Sequence, residues 1–204
     1  MNCRRLQDSG GFTLVELLVT MVVISLVIMA ATTTFIVQNK MATIQAATSD
    51  VQLTGQLTMD LLSRDIQMAG YGMDKATALV AFDNAPTSDA LRIAGTDAIQ
   101  LHYSTPVLPS SPTGTRGSRR YNYYVAKTGD GGLVRQDFVS GGTETIASNV
   151  EDMQVVIEDD PASDKKKVSL KIGLKSAAKD NQLSGDGYRR REYSAVIIPK
   201  NYGL

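Results

Sequence analysis

The apolar positions of this chain follow three successive patterns, and each predicts a different element. From Leu17 to Val37 runs LLVTMVVISLVIMAATTTFIV, 21 residues without a charge. At 1.5 Å of rise per residue a helix of that length spans roughly 32 Å, close to the hydrocarbon thickness of a bilayer. The pattern predicts a membrane-spanning helix. From Met41 to Ala69 the residues Ile44, Thr48, Val51, Gly55, Thr58, Leu62, Ile66 and Ala69 recur at spacings of three and four. That is a weakly apolar stripe of the kind a helix lays on a sheet. No proline precedes Pro86, so both runs can belong to one long helix. Gly55 costs about 1 kcal/mol relative to alanine inside a helix and marks a kink or a close contact. The helix is expected to end near Gly70-Tyr71-Gly72, where glycine can take the left-handed cap.

After Asp74 the period changes to two. Ile99, Leu101 and Tyr103 alternate with polar residues, as do Tyr121, Tyr123 and Val125. Leu133, Arg135 and Asp137 take one face of the next run, with Val134 and Phe138 opposing, and Thr128-Gly129-Asp130-Gly131-Gly132 reads as the hairpin turn between these two runs. Val155 and Ile157 lead through Asp159-Asp160-Pro161-Ala162 into Val168, Leu170, Ile172 and Leu174, the cleanest alternation in the chain. A last strand covers Tyr193 to Ile198, and loops cover Phe82 to Asp89 and the Pro/Ser/Gly-rich Ser104 to Ser118. The fold class expected is α+β: one long N-terminal α-helix, its first half transmembrane, packed on a mainly antiparallel β-sheet domain.

Composition changes little in this picture. The 204 residues are 43% hydrophobic, enough for a real core, and Lys+Arg balance Asp+Glu at 21 each. Nothing global points to nucleic acid. The apolar run is too long for a secretory signal, whose core has about 7–15 residues before a small-x-small site. Arg4 and Arg5 precede it and only Lys40 follows closely, which places the N-terminus in the cytoplasm and the C-terminal bulk across the membrane. The single cysteine, Cys3, excludes an intramolecular disulfide. It also precedes the apolar stretch, whereas the acylated cysteine of a lipoprotein follows it.

One charge stands where a membrane helix should have none. With a helix beginning at Phe12, Glu16 sits about one turn into hydrocarbon, where an ionised carboxylate costs a few kcal/mol. Either it snorkels to the headgroups with help from the helix N-terminal dipole, or it awaits a partner, such as a freed N-terminal amine on a neighbouring helix.

Gly10-Gly11-Phe12-Thr13-Leu14-Val15-Glu16, after a short basic leader and before the apolar run, resembles the class III signal of type IV pilins and type II secretion pseudopilins. The resemblance implies that prepilin peptidase cuts between Gly11 and Phe12 and methylates Phe12, and that Glu16 docks each subunit to its neighbour. It implies a pilin-like fold divided into a cleaved leader (1–11), a transmembrane and assembly half-helix (12–38), an amphipathic half-helix (39–72) and a periplasmic β-rich domain (73–204). Leu61-Leu62-Ser63-Arg64-Asp65-Ile66-Gln67-Met68-Ala69-Gly70-Tyr71 is similar to the end of the long helix in PilW-type minor pilins. Arg64, however, stands further from Ala69 than their Arg-x-Ala-Gly-Tyr pattern has it. The expected function is therefore a non-catalytic minor pilin that initiates or assembles a filament. Its partners would be the peptidase, other major and minor pilins, the inner membrane and the pilus assembly platform. A minor pseudopilin of a type II secretion system and a DNA-binding competence pilin are the alternatives.

Little else suggests chemistry. His102 is the only histidine, so a histidine triad or His-rich metal site is not expected. Gly129, Gly131 and Gly132 lack the following helix and Gly-Lys-Ser/Thr of a phosphate loop. Glu158, Asp159, Asp160 and Asp164 cluster around a turn, read as a solvated hairpin tip against a calcium site of no EF-hand spacing. Arg116/Arg119/Arg120, Lys165-Lys166-Lys167 and Arg189-Arg190-Arg191, interleaved with tyrosines, read as charged strand edges against a surface for single-stranded nucleic acid. No cofactor is expected.

Overall fold

The structure, a computed structural model, describes residues 11–73, 75–105, 117–127, 131–161, 165–180 and 183–201. One helix, α1 (Leu14–Met68), runs through two compact units that divide between Gln45 and Ala46. In the first unit the apolar side chains from Leu14 to Val37 are exposed on every side of the helix. A helix that is hydrophobic all round belongs in a buried or membrane environment.

Among the described residues the second unit holds the rest of α1, a one-turn helix α2 (Lys75–Ala78) and eight strands: β1 (Leu79–Phe82), β2 (Ala98–Ser104), β3 (Ser118–Ala126), β4 (Gly132–Asp137), β5 (Thr143–Ser148), β6 (Val150–Asp160), β7 (Lys165–Lys175) and β8 (Arg190–Ile197). They form two sheets instead of one, a meander β1-β2-β3-β4-β5 and a three-stranded β6-β7-β8, with every named pair antiparallel. Val51, Gly55, Thr58, Leu62, Ile66 and Ala69 of the stripe are buried. Val51, Leu62, Ile66 and Ala69 share one core with Ile99, Leu101, Tyr123, Val125 and Leu133 of the first sheet and Val168, Leu170, Ile172 and Leu174 of the second. Leu62 and Ile66 are fully buried, and each stabilises by about 1.5–3 kcal/mol relative to exposure. Gly70 ends the helix at φ 83°, and its N–H donates to the His102 carbonyl at 2.9 Å, which ties the helix end to β2.

Two residues join the sheets. Asn149, alone between β5 and β6, takes a left-handed φ of 59°. Its N–H donates to Gly131 O and its carbonyl accepts from Lys175 N–H, both at 2.9 Å. Asp97, 2% exposed just before β2, accepts from the backbone N–H of Asn84 at 2.9 Å and of Val155, in β6, at 2.7 Å.

Several elements differ from the sequence pattern. β1 is four residues long and apolar throughout, and β5 is mostly polar, so neither shows a period of two. β6 starts at Val150, five residues before the expected Val155, because a register shift between Val150 and Asp152 interrupts its alternation. β8 begins at Arg190, not Tyr193, since charged residues on an exposed strand end carry no hydrophobic signal. β4 stops at Asp137, and Phe138 is a turn residue, 48% exposed, instead of a strand residue. Thr128–Asp130 of the expected hairpin turn lie outside the described residues, although Ala126 and Gly132 pair across it. Most of the Ser104–Ser118 loop lies outside them too, and its end residues pair with each other in β2 and β3.

Candidate assembly site

Residues 11–13 are non-helical and exposed, and nothing lies within 4 Å of where a side chain at Gly11 would begin. Phe12 is 85% exposed. The Gly11–Phe12 bond therefore sits in open backbone just ahead of α1. Thr13 caps the helix: the Glu16 N–H donates to Thr13 Oγ1 at 3.2 Å, and the Leu17 N–H donates to the Thr13 carbonyl at 3.1 Å. Thr-x-x-Glu is the spacing of a capping box, which satisfies backbone donors that the first turn leaves without partners. That spacing was the readable signal for Thr13, which the sequence expectations did not single out. Glu16 lies in this first turn, where the partial positive charge of the helix terminus favours a carboxylate.

Beyond Glu16, the polar groups of the apolar run are internally satisfied. Thr20 and Ser25 donate their hydroxyls to the carbonyls three residues back, at 2.8 and 2.7 Å. Thr32, Thr33 and Thr34 donate four residues back, at 2.8, 2.9 and 3.0 Å. A bilayer offers no water to these groups, so this back-bonding is what a lipid-exposed helix requires. Glu16 is the one ionisable side chain from Leu14 to Val37.

In the second unit the segment Leu61–Tyr71 packs on the first sheet through Asp65. Asp65 accepts a hydrogen bond from the Tyr123 hydroxyl, and Arg135 approaches the same carboxylate at 3.8 Å while pairing with Glu144 at 2.7 Å. Burial, then Asp65, raises the Tyr123 phenol well above its ordinary value. Arg64 points away and pairs with Asp60 at 2.6 Å.

The charge clusters resolve into pairs. Glu158, Asp159 and Asp160 stand opposite Lys167, Lys166 and Lys165 across the β6–β7 hairpin, with Lys166 Nζ 2.5 Å from Asp159 and Lys167 Nζ 3.8 Å from Glu158. The acidic and basic clusters are thus two arms of one hairpin, a relation that linear spacing does not reveal. Asp164 lies outside the described residues, as do Arg116 and Gly129. Among the described residues no three His, Cys, Asp or Glu gather to hold a metal. Arg119 pairs with Asp137 at 3.2 Å, Arg189 with Asp180 at 2.8 Å, and Arg190 with Glu151 at 2.7 Å and also with Asp186.

The tyrosines mostly pack. Tyr123 and Tyr124 are buried, and Tyr121 lies against Tyr103 with the Arg135 guanidinium 4.8 Å over its ring. His102 is half-buried on β2, and burial followed by the Arg120 charge lowers its pKa. Among the described residues it joins no cluster of His, Cys, Asp or Glu that could hold a metal.

Residues 6–32 match the family model described as the prokaryotic N-terminal methylation motif. No curated protein matches the chain. Among solved structures it is similar to a type IV-like pilin from Thermus thermophilus, at 14% identity over 72% of this chain and 96% of that one, with a TM-score of 0.47. The motif opens a helix long and apolar enough to cross a membrane. The chain thus carries a prepilin-type N-terminus whose apolar helix serves as a membrane anchor.

Proposed function

We propose that the chain is the precursor of a type IV minor pilin, a structural subunit without catalytic residues. Prepilin peptidase cuts between Gly11 and Phe12 and methylates the new amine of Phe12. Exposed, non-helical backbone ahead of a capped helix is the form of substrate a peptidase can grip. The observation that carries the reading is the methylation motif over residues 6–32 falling on that helix start.

Before cleavage the apolar part of α1 holds the chain in the inner membrane, with the N-terminus cytoplasmic and the sheets periplasmic. Cleavage removes Arg4 and Arg5, the cytoplasmic charges that oppose extraction of the helix from the bilayer. The helix then exchanges lipid for neighbouring pilin helices, where close packing replaces lipid contact. Glu16, the one acid in the run, pairs with the Phe12 amine of an adjacent subunit. An ion pair in so apolar a setting holds only when both charges are matched. The segment from Leu61 to Tyr71 favours a PilW-type subunit that works with other major and minor pilins on the assembly platform.

Mass spectrometry of the N-terminal peptide, from sheared surface filaments and from inner membranes of the native host, tests this. An N-methylated peptide starting at Phe12 in the sheared fraction is expected. The same peptide confined to membranes would redirect the subunit to a secretion pseudopilus or a priming complex. An intact Met1 terminus in both fractions, with the peptidase present, would overturn the reading.

A further inference from the structure

The chain has two places where α1 could begin, and they differ in what happens to the bond proposed for cleavage. In the structure Thr13 is the cap. Its Oγ1 accepts from the Glu16 N–H at 3.2 Å, and its carbonyl accepts the Leu17 N–H at 3.1 Å. Among the described residues the Gly11 carbonyl accepts no backbone hydrogen bond, and Gly11 and Phe12 are exposed and non-helical.

The rival cap is Gly11 itself, two residues upstream. Glycine ranks close to threonine as an N-cap, whereas Phe12 has no oxygen to offer. A helix begun at Gly11 would gain Phe12 and Thr13 as helical residues. Its cap carbonyl would accept the Val15 N–H, because the carbonyl of an N-cap receives the first intrahelical bond. Cleavage of the Gly11–Phe12 amide adds water across that bond: the hydroxyl goes to the Gly11 carbonyl carbon and a proton to the Phe12 nitrogen. In the rival start that carbonyl is already bonded, and Phe12 is wound into the first turn. What favours Thr13 is its partner at the third helical position, Glu16. The residue in that place for a Gly11 cap is Leu14, which cannot complete a capping box.

We propose that Thr13 is a positioning residue for prepilin peptidase, its hydroxyl holding the helix start downstream of the cut so that the Gly11 carbonyl stays free and Phe12 extended. The inference rests on the prepilin reading above and names the residue that makes its bond cleavable. A substrate whose competent form is only partly populated binds more weakly by that fraction. Loss of the cap therefore acts on KM and leaves kcat in place. It slows processing without changing its end point, so mature subunits still accumulate.

The test is steady-state cleavage of the full chain, solubilised in detergent, by prepilin peptidase, with the product read by mass. Thr13 is exposed, so its variants keep the fold of the second unit. Thr13→Val keeps the branched shape and removes the hydroxyl. It should raise KM about fivefold, the ratio that one N-cap is worth, with kcat unchanged. Thr13→Ser and Thr13→Asn, both good caps, should restore the parent KM. The Cα chemical shift of Phe12 should move toward helical values in Thr13→Val and stay extended in the two rescuing variants. A parent-like or lower KM for Thr13→Val overturns the proposal. So does a fall in kcat that serine restores and asparagine does not, since that result means the peptidase touches the hydroxyl directly. A parent chain left uncut between Gly11 and Phe12 removes the prepilin reading itself.

Discussion

Gly55 of α1 and Tyr193 of β8 are in direct contact: a Cβ added at Gly55 would lie 2.2 Å from Tyr193 Cε2. The ring fills the space where a side chain would stand, and its hydroxyl reaches the Val51 carbonyl at 3.4 Å. Glycine costs helix propensity here, and the close seating of the second sheet on the helix offsets that cost. Gly55→Ala should gain about 1 kcal/mol of propensity and lose about 1–3 kcal/mol to overpacking, a net loss in chemical denaturation of the detergent-solubilised chain. In Tyr193→Ala the same change at Gly55 should become neutral or stabilising. An equal loss in both backgrounds would place the effect elsewhere.

The Tyr123–Asp65 pair makes stability sensitive to alkali. Tyr123 and Tyr103 are both raised well above the ordinary tyrosine value, by burial first and Asp65 next. In the unfolded chain these phenols lose their protons near pH 10, while the folded chain keeps them. Their contribution is therefore full below about pH 10 and declines as the pH rises beyond it. Tyr123→Phe should flatten that decline. Asp65→Ala should cost about 1–3 kcal/mol at neutral pH by leaving a buried hydroxyl without its acceptor.

Asp89 acts at the other end of the scale. Hydrogen bonds from the Leu91 N–H, the Arg92 side chain and the Arg92 N–H lower its pKa to about 2. A lowered carboxylate stabilises above its unfolded value, near 3.8, and that contribution fades as the pH falls toward 2. An acid titration of Asp89→Asn should be shallower than that of the parent across this window. Identical curves would deny Asp89 a part in acid stability.

Asp97 joins the sheets through two backbone donors, so Asp97→Ala should be among the most damaging single changes in the second unit. Each buried donor left without a partner costs about 1–3 kcal/mol. Asp97→Asn keeps one carbonyl acceptor and should fall between parent and alanine in urea denaturation. Equal stability of all three would mean that water replaces the carboxylate.

Glu16 and Thr13 separate capping from docking. Thr13→Ala should weaken the helix start by about 1 kcal/mol yet leave filament incorporation in place. Glu16→Gln keeps the capping-box spacing, because glutamine also serves at that position, but removes the charge. It should be cleaved normally and recovered poorly in sheared filaments. Normal incorporation would show that the charge is dispensable.

The sequence by itself determined the membrane run, the methylation motif, the stripe of α1 that packs on the sheets and the core strand β7. In each, neighbouring residues carry the physical cause: an uncharged run of bilayer length, a spacing of three and four, or strict alternation. It also marked Gly55 as a place of close approach without naming what approaches. Only the tertiary structure decided the rest. The two sheets are tied together by the backbone of Asn149 and the carboxylate of Asp97, single polar residues with no periodic signal. β5 and the start of β6 were hidden by polar composition and by a register shift. Asp65 and Tyr123 meet across 58 positions, and the acidic and lysine clusters cancel because the hairpin folds one onto the other. Partners distant along the chain are set by the packing of whole elements, and no local pattern records them.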